Sequence, residues 1–475
     1  MNQERIPLME ALQRHIDQKT LSFHVPGHKG GQVWMDGVAA DFYKFLAYDQ
    51  TEISDLDDFH SPEGCIEEAQ RLLIDLYQTK KSYFLVNGST VGNLAMVLSV
   101  CEEGDLIFVQ RNCHKSILNA CKLAKVTPVF LEPEYDASFK VASGVSLDTV
   151  EQAYKQYDSV KAIVLTYPNY YGMATDIEQV IKVAQENGSF VLVDEAHGPH
   201  FVLGEPFPNS SLQWGADLVV HSAHKMLPAM TMGSFLHMNS SRVSLEKLEF
   251  YLQALQSSSP SYPIMASLDV ARAFLAGFSY EDVAFTLEMK TILAERLQGK
   301  GLEVLLPDDP LKLLLRKQGY TGYELQSHLE AAGVYSELSD ASQVLCTLPL
   351  LKAGSSDYIE LAKRKIDGLT LYDKPSACEV IDYTSSLKKT SMLMISYKEQ
   401  EKLPRVWIPL TEAVGEIAAE TVIPYPPGIP LLIAGEQIAF EQIATLTNLL
   451  AQHVHIQGGQ QLNTKRIAVY RTSQA

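Results

Sequence analysis

A lysine at the end of an apolar stretch carries the most reactive chemistry of this sequence. Lys225 follows hydroxyl and imidazole groups in the run Val219-Val220-His221-Ser222-Ala223-His224-Lys225. An amine at the carboxyl end of a buried strand can form an imine with an aldehyde cofactor, and Ser222 and His224 can hydrogen-bond a phosphate of the same molecule. An aldehyde and a phosphate together indicate pyridoxal phosphate. A lysine that ends a strand with its ammonium group in water has the same local sequence, so the rest of the chain must decide.

Two other strand ends carry groups suited to a planar cofactor. Asp194 follows the apolar run 190–193 and can hydrogen-bond a pyridine nitrogen, which keeps the ring protonated and able to accept electrons. His114 follows another apolar run and can stack on one face of the ring, while the small Ala196 admits close approach to the other face. A single histidine is also common as an ordinary core or surface residue, so this role for His114 stays one of two interpretations.

A phosphate site is predicted where an apolar run turns into a helix. The segment Asn87-Gly88-Ser89-Thr90 separates the run 82–86 from a helix-like stretch that starts at Val91. Ser89 or Thr90 can cap this helix, and its free backbone N–H groups can bind a phosphate. An ordinary helix cap would use the same residues, so both interpretations remain open.

The string Asp194-Glu195-Ala196-His197 also matches the signature of a helicase class. Such an enzyme needs an upstream G-x-x-x-x-G-K-[ST] loop, which the sequence lacks. Glu195, His197 and His200 contain metal-ligating atoms, but they lack the helical spacing of H-E-x-x-H. We therefore expect neither a nucleotide-driven motor nor a metal site.

Short apolar runs alternate with helix-like stretches between residues 82 and 238. Runs that are apolar without alternation are typical of strands covered by helices on both faces. They are found at 82–86, 105–109, 162–165, 190–193, 217–220 and 233–236. The pattern predicts an α/β fold with a mostly parallel sheet, in which ligands bind beyond the carboxyl ends of the strands. The candidate residues named above fall at those ends.

The composition and the apolar periodicity along the sequence predict three regions. Residues 1–50 are rich in Gly and Pro around Pro26 and Gly31 and are expected to form an N-terminal arm that packs on something else. Residues 51–285 are expected to form the cofactor-binding large domain. Residues 286–475, which combine helical periodicity with short apolar runs, are expected to form a smaller α+β C-terminal domain.

Composition limits the possible partners. The 475 residues include 39 Lys and Arg against 57 Asp and Glu, a net charge of −18 that disfavours nucleic acid and anionic membranes and favours cationic solutes. The first residues lack the apolar core of a signal peptide, and the 6 cysteines form no C-x-x-C pair. We expect a cytoplasmic protein with reduced thiols.

Several segments in the same order resemble the Orn/Lys/Arg decarboxylase family of fold type I pyridoxal phosphate enzymes. The resemblance extends from about residue 20 to the 430s, and its segments are 24–30, 56–60, 87–90, 111–116, 193–198, 222–225 and 425–430. It implies an aspartate aminotransferase-like large domain, with Lys225 as the Schiff-base lysine, Asp194 on the pyridine nitrogen and His114 on the ring. The implied cofactor-binding set is completed by Gly88, Ser89, Thr90, Ala196, His197, Ser222 and His224.

The resemblance also implies a partner and a substrate class. In the loop Ser257-Ser258-Ser259-Pro260, Ser258 is expected to reach the cofactor phosphate of a neighbouring subunit, so we expect a homodimer or a larger homo-oligomer. Because the chain has no room for an N-terminal wing domain, it is similar to the short Gram-positive type.

The substrate implied is a basic amino acid, which loses carbon dioxide to give an amine. We rank arginine first, lysine second and ornithine third, and name Asp57, Asp58 and Glu436 as substrate-binding carboxylates. An aminotransferase or a carbon–carbon lyase on the same fold would also keep Lys225 and Asp194. A regulator that binds the cofactor without catalysis is the other alternative, but such proteins usually carry a DNA-binding segment.

Overall fold

The computed structural model describes residues 1–37, 39–375, 389–424, 429–452 and 454–471. These fall into two compact units: unit 1 comprises Met1–Val100 and Leu192–Tyr280, and unit 2 comprises Cys101–Val191 and Glu281–Ala475. Residues 425–428 of the last resembling segment lie outside the described residues, as does Cys378. The domain boundaries after residues 50 and 285 stay a prediction.

Helices of the described chain account for much of both units. In chain order they are α1 (Pro7–Asp17), α2 (Ala40–Leu46), α3 (Cys65–Tyr77), α4 (Gly88–Val100), α5 (Lys115–Ala124), α6 (Leu147–Gln156), α7 (Glu178–Glu186), α8 (Ala223–Met226), α9 (Leu245–Leu255), α10 (Tyr262–Ala276), α11 (Tyr280–Gly299), α12 (Gly322–Ala331), α13 (Asp357–Asp367), α14 (Tyr397–Gln400) and α15 (Phe440–Ala451). In the described part of the chain, no helix combines the length and apolarity needed to cross a membrane.

The strands are short and mostly buried. In chain order they are β1 (Lys81–Leu85), β2 (Leu106–Gln110), β3 (Thr127–Leu131), β4 (Tyr135–Asp136), β5 (Val141–Ala142), β6 (Ala162–Thr166), β7 (Phe190–Asp194), β8 (Leu218–His221), β9 (Ser234–Met238), β10 (Glu303–Leu305), β11 (Lys312–Arg316), β12 (Leu338–Ser339), β13 (Val344–Thr347), β14 (Thr390–Met392), β15 (Arg405–Pro409), β16 (Ile423–Pro424), β17 (Ile456–Gln457) and β18 (Arg466–Tyr470).

Unit 1 contains the strand order β1-β9-β8-β7. β7 and β8 are parallel, whereas β9 runs antiparallel to both β8 and β1. The connection from β8 to β9 contains only the one-turn helix α8, which is too little for a parallel crossover, so β9 returns in the opposite direction. α4 packs on these strands so closely that a Cβ atom on Gly92 would lie 2.8 Å from methyl groups of Leu85 and Val220.

Unit 2 contains the strand order β6-β2-β3-β14. β2 is parallel to both β3 and β6, and β14 is antiparallel to β3. Together with the parallel pair in unit 1, this confirms the predicted α/β fold with mostly parallel pairing. β3 was not predicted, because Pro128 interrupts its apolar run and a proline argues against a central strand.

The later part of unit 2 has its own antiparallel sheet. Its order is β10-β11-β13-β12, and one core packs helices α11, α12 and α13 around Leu313 and Leu315. A separate core around Val422 and Leu446 joins α15 to the pair β15–β18. These elements agree with the predicted α+β character of the C-terminal region.

The N-terminal arm is attached to its own unit by a buried ion pair. Arg272 and Asp269 on α10 are both 0% exposed, and Arg272 Nη2 lies 2.6 Å from Asp269 Oδ1. Arg272 also donates to the Gln3 carbonyl at 2.6 Å, and the Leu8 N–H donates to Asp269 Oδ2 at 3.0 Å. Residues 1–17 are therefore fixed against α10.

Candidate active site

Lys225 lies in the one-turn helix that follows β8. Its backbone N–H donates to the Ser222 carbonyl at 3.1 Å, and its side chain is partly buried. The Lys225 amine Nζ lies 3.0 Å from His197 Nε2. The predicted lysine therefore stands beyond a strand end beside an imidazole, within reach of the segment that carries Asp194.

Asp194 is the last residue of β7 and is 4% exposed. Asn93 Nδ2 donates to Asp194 Oδ2 at 2.8 Å, and the Ala196 N–H donates to Oδ1 at 3.3 Å. Because both oxygens accept a hydrogen bond, the orientation of the carboxylate is fixed. Asn93 was not among the predicted residues, although a polar amide inside the apolar helix α4 was a visible signal.

The predicted phosphate site lies at the first turn of α4. The helix begins at Gly88, whose φ of +80° is in the left-handed region that favours glycine. Ser89 and Thr90 thus belong to the first helical turn and do not precede it. The N–H groups of a first turn lack partners within the helix and can bind an anion.

Ser222 provides a test of whether this site fits pyridoxal phosphate. Its side chain is 0% exposed, and among the residues that the structure describes its hydroxyl has no hydrogen-bond partner. The backbone N–H of Ser222 donates to the Ala196 carbonyl at 3.2 Å, so the hydroxyl is held beside the Asp194 segment. A buried hydroxyl without an acceptor is costly, and a phosphate oxygen would satisfy it. The residues therefore fit the cofactor.

His224 contributes in a more restricted way. Its backbone N–H donates to the Gly233 carbonyl at 3.1 Å, and its Nδ1 lies 3.0 Å from the same oxygen. Because Nδ1–H is used by that carbonyl, the ring gives a phosphate a donor only when Nε2 is also protonated.

The loop that contains Ser258 is anchored next to the start of α4. The Val86 N–H donates to Gln256 Oε1 at 2.9 Å, and the Ser257 N–H donates to Asn87 Oδ1 at 3.4 Å. Ser258 itself is exposed. The loop is fixed at one end while Ser258 stays accessible.

The two predicted substrate carboxylates of unit 1 have different surroundings. Asp57 accepts from the N–H groups of Glu63 at 2.9 Å and Gly64 at 2.8 Å, immediately before α3. Its carboxylate is therefore used to fix the start of that helix. Asp58 is exposed, with Oδ1 accepting from the His60 N–H at 2.8 Å, and is the accessible carboxylate of the pair.

Two predicted residues belong to unit 2. His114 precedes α5, and its Nδ1 accepts from the Ser116 N–H at 3.2 Å, which fixes the imidazole orientation. Glu436 is 4% exposed and is bound by the Arg111 guanidinium, with Arg111 Nη2 2.8 Å from Glu436 Oε2 and Nη1 bonded to Oε1. Its charge is thus already neutralised within unit 2. Arg111 lies in the resembling segment 111–116 and had no predicted role, and the structure makes it the partner of Glu436.

Comparisons with known proteins identify the family. The family model described as "Orn/Lys/Arg decarboxylase, major domain" matches residues 6–296, and "Orn/Lys/Arg decarboxylase, C-terminal domain" matches residues 391–457. The chain is 44% identical over 474 residues to "Uncharacterized protein YaaO" of Bacillus subtilis (strain 168), covering 98% of each chain. It is 32% identical to "Arginine decarboxylase" of the same organism, covering 100% of both.

The fold has a solved counterpart. The structure titled "Structure of E.coli Constitutive lysine decarboxylase" matches with a TM-score of 0.81 at 19% identity, covering 98% of this chain and 82% of that one. This likeness confirms the fold type. The sequence matches go further and show an amino acid decarboxylase. The chain belongs to the Orn/Lys/Arg decarboxylase family.

Proposed function

We propose that this enzyme holds pyridoxal phosphate on Lys225 and uses it to decarboxylate arginine to agmatine. The observation that carries the proposal is the buried Ser222 hydroxyl, which has no partner among the described residues and lies in the same turn as Lys225. The family match supports loss of carbon dioxide over aminotransfer or carbon–carbon cleavage.

Each residue of the site has a defined task in this proposal. When bound, pyridoxal phosphate supplies an electron sink for the bond that breaks as carbon dioxide leaves. Asp194, oriented by Asn93, holds a proton on the pyridine nitrogen. The first-turn N–H groups of α4, with Ser89, Thr90 and Ser222, bind the phosphate. His114 stacks on the ring, and Gly88, Ala196, His197 and His224 complete the cofactor-binding set.

Arginine is the first choice of substrate, followed by lysine and ornithine. The relative of Bacillus subtilis named arginine decarboxylase is 32% identical, whereas "Lysine decarboxylase LdcA" of Pseudomonas aeruginosa is 23% identical. A planar guanidinium can donate two parallel hydrogen bonds to one carboxylate. The exposed Asp58, which accepts one backbone N–H, supports that role better than Asp57, which accepts several, or Glu436, which is buried and bound by Arg111.

The decisive experiment measures carbon dioxide and amine release from arginine, lysine and ornithine in parallel, with added pyridoxal phosphate. We expect release to be fastest from arginine. Lys225→Ala should abolish release and the absorption band of the lysine-linked cofactor, while Lys80→Ala, an exposed lysine of unit 1, should keep both. Faster release from lysine would overturn the substrate ranking, and a band that persists in Lys225→Ala would overturn the lysine assignment.

We propose that two copies of the chain pair as a homodimer through the segment that follows α1. Apolar side chains there are strongly exposed, with Leu21 at 73%, Phe23 at 90% and Met35 at 72%. Large exposed apolar side chains in one segment support an interaction surface there, and symmetric pairs are the commonest assembly. In sedimentation, Phe23→Asp should shift the protein towards monomer, whereas Phe250→Asp, which alters another exposed phenylalanine at 60%, should not. A monomeric wild type would refute the pairing.

We propose the cytoplasm as the location. Cys101 and Cys121 are buried and form no disulfide with another described residue, which fits a reducing compartment. Fractionation of cells that express the tagged chain would test this, and recovery outside the cytoplasmic fraction would contradict it.

A further inference from the structure

A line of polar side chains lies buried in the sheet of unit 1. Ser82 on β1 is directly opposite His237 on β9, and His221 ends the neighbouring strand β8. His221, His237 and Glu195 are 0% exposed, and Ser82 is 1% exposed. Buried polar groups of this kind are kept only where they are hydrogen-bonded.

The side chains form one continuous chain of hydrogen bonds. Ser82 Oγ lies 2.7 Å from His237 Nδ1, and His237 Nε2 lies 3.1 Å from His221 Nδ1. His221 Nε2 lies 3.0 Å from Glu195 Oε1. Thr79 Oγ1, 2.7 Å from Ser82 Oγ, forms the other end.

Glu195 receives further donors from the loop that follows it. The Ser210 hydroxyl donates to Oε1 at 2.7 Å, and the Ser211 N–H donates to Oε2 at 2.8 Å. The Ser211 hydroxyl also donates to Oε2. The carboxylate is thus held by the loop on one side and by His221 on the other.

For two neutral imidazole rings, the bonding pattern permits a single direction. Because a carboxylate only accepts, His221 must donate from Nε2, which leaves its Nδ1 to accept from His237 Nε2–H. His237 Nδ1 then accepts from Ser82, and Ser82 accepts from Thr79. Burial lowers the pKa of His237 well below its usual range, which agrees with a neutral His237 ring in this arrangement.

The titratable groups facing these rings are Glu195, Tyr77 and the rings themselves. The Tyr77 ring lies 4.5 Å from the His237 ring and 5.2 Å from the His221 ring. Burial raises the pKa of Tyr77 well above its usual value, and its hydroxyl donates to the Pro199 carbonyl at 2.6 Å. Tyr77 therefore adds no charge to the chain.

The Glu195–His221 end of the hydrogen-bond chain links the two segments that carry the proposed cofactor groups. Glu195 lies between Asp194 and Ala196, and His221 directly precedes Ser222. We propose that Glu195, His221 and His237 are positioning residues that hold the Asp194–Ala196 segment and the Ser222–Lys225 turn at a fixed separation. This inference rests on the proposed function, because the separation matters only if both segments hold the cofactor.

Two substitutions break the hydrogen-bond chain at residues outside the proposed cofactor-binding set. His237→Leu removes both ring nitrogens and leaves His221 Nδ1 and the Ser82 hydroxyl without their partner. Glu195→Gln places an amide N–H₂ where one oxygen accepted, so that a donor faces a donor. His237→Gln retains one donor and one acceptor and should restore part of the function.

The experiment measures pyridoxal phosphate affinity of the full-length protein from the absorption band of the bound cofactor. We expect His237→Leu and Glu195→Gln to weaken affinity roughly tenfold or more, with recovery in His237→Gln. His200→Leu is the matched control, since His200 is also 0% exposed in unit 1 but is not one of the residues of the hydrogen-bond chain described above. It should lower the melting temperature of the cofactor-free protein and leave affinity unchanged.

Nitrogen-15 NMR of labelled histidines in the cofactor-free protein gives a second readout. We expect His221 and His237, assigned through their variants, to show a protonated Nε2 and a bare Nδ1. Equal cofactor affinity in wild type and both breaking variants, or protonated Nδ1 on either ring, would overturn the positioning role. Failure of the wild type itself to bind pyridoxal phosphate would instead overturn the proposed function.

Discussion

Removing the Ser222 hydroxyl should change the stability of the cofactor-free protein and its affinity for the cofactor in opposite directions. In the cofactor-free protein the hydroxyl is buried and has no partner among the described residues, so Ser222→Ala deletes an unfavourable group. In the proposed complex the same hydroxyl donates to a phosphate oxygen, so the substitution deletes a favourable contact. A purely structural serine would change both quantities in the same direction.

The sizes of both effects follow from the burial of this group. An unsatisfied buried hydroxyl costs about 1–3 kcal/mol. With an unfolding entropy of about 2.1 cal/mol/K per residue, a chain of 475 residues has about 1 kcal/mol/K, so the melting temperature should rise by about 1–3 °C. A hydrogen bond to a charged group is worth about 1.5–3 kcal/mol, which predicts an affinity loss of about 10- to 150-fold.

The assay compares thermal melting without cofactor and cofactor titration for Ser222→Ala and a matched variant. Ser99→Ala removes a hydroxyl that is 3% exposed and donates to the Met96 carbonyl at 3.0 Å, also in unit 1. This control should lower the melting temperature and leave affinity unchanged. If Ser222→Ala also melts earlier, its hydroxyl has a partner in solution, and if affinity is unchanged, the phosphate does not reach it.

Three further substitutions test the charges and the packing of both units. Burial raises the pKa of Glu132 from 4.5 to about 7, so its contribution to the free energy of unfolding is fully present below pH 4.5 and is lost as the pH rises through 7. Glu132→Gln should remove this decline of about 3 kcal/mol, and urea unfolding that gives the same pH slope for wild type and variant would refute this. Gly92→Ala places a Cβ atom 2.8 Å from a Leu85 methyl group and should cost about 1–3 kcal/mol in the same assay, whereas no change would show that the strands yield. Arg272→Ala leaves Asp269 buried without its cation and should cost about 3–5 kcal/mol, with faster proteolysis of residues 1–6, and intact termini would contradict the attachment.

The sheet could be predicted because its strands are apolar on both faces. The predicted run 190–193 lies in β7 (Phe190–Asp194), and the run 105–109 differs from β2 (Leu106–Gln110) by one position at each end. Apolarity contains no information about direction, so the antiparallel return of β9 was not predicted. It depends on the short connection through α8.

The same limit applies to the site. Residues at or directly after the end of a strand, such as Asp194 and Ser222, could be named because the ends of parallel strands collect ligand-binding groups. Asn93 reaches Asp194 only because α4 packs closely on the strands, and His237 reaches His221 only because β9 is antiparallel to β8. Contacts that depend on register and packing are invisible in a sequence read one element at a time.

The adjacent carboxylates Asp194 and Glu195 have different roles at the end of β7. Successive side chains of an extended segment point to opposite sides, so Asp194 and Glu195 cannot share an environment. Asp194 accepts from Asn93 of α4, whereas Glu195 accepts from His221 and from Ser210. The first is thereby oriented for the proposed cofactor, while the second joins the loop to β8. The acidic pair that matches a helicase signature in the sequence is explained here by strand geometry.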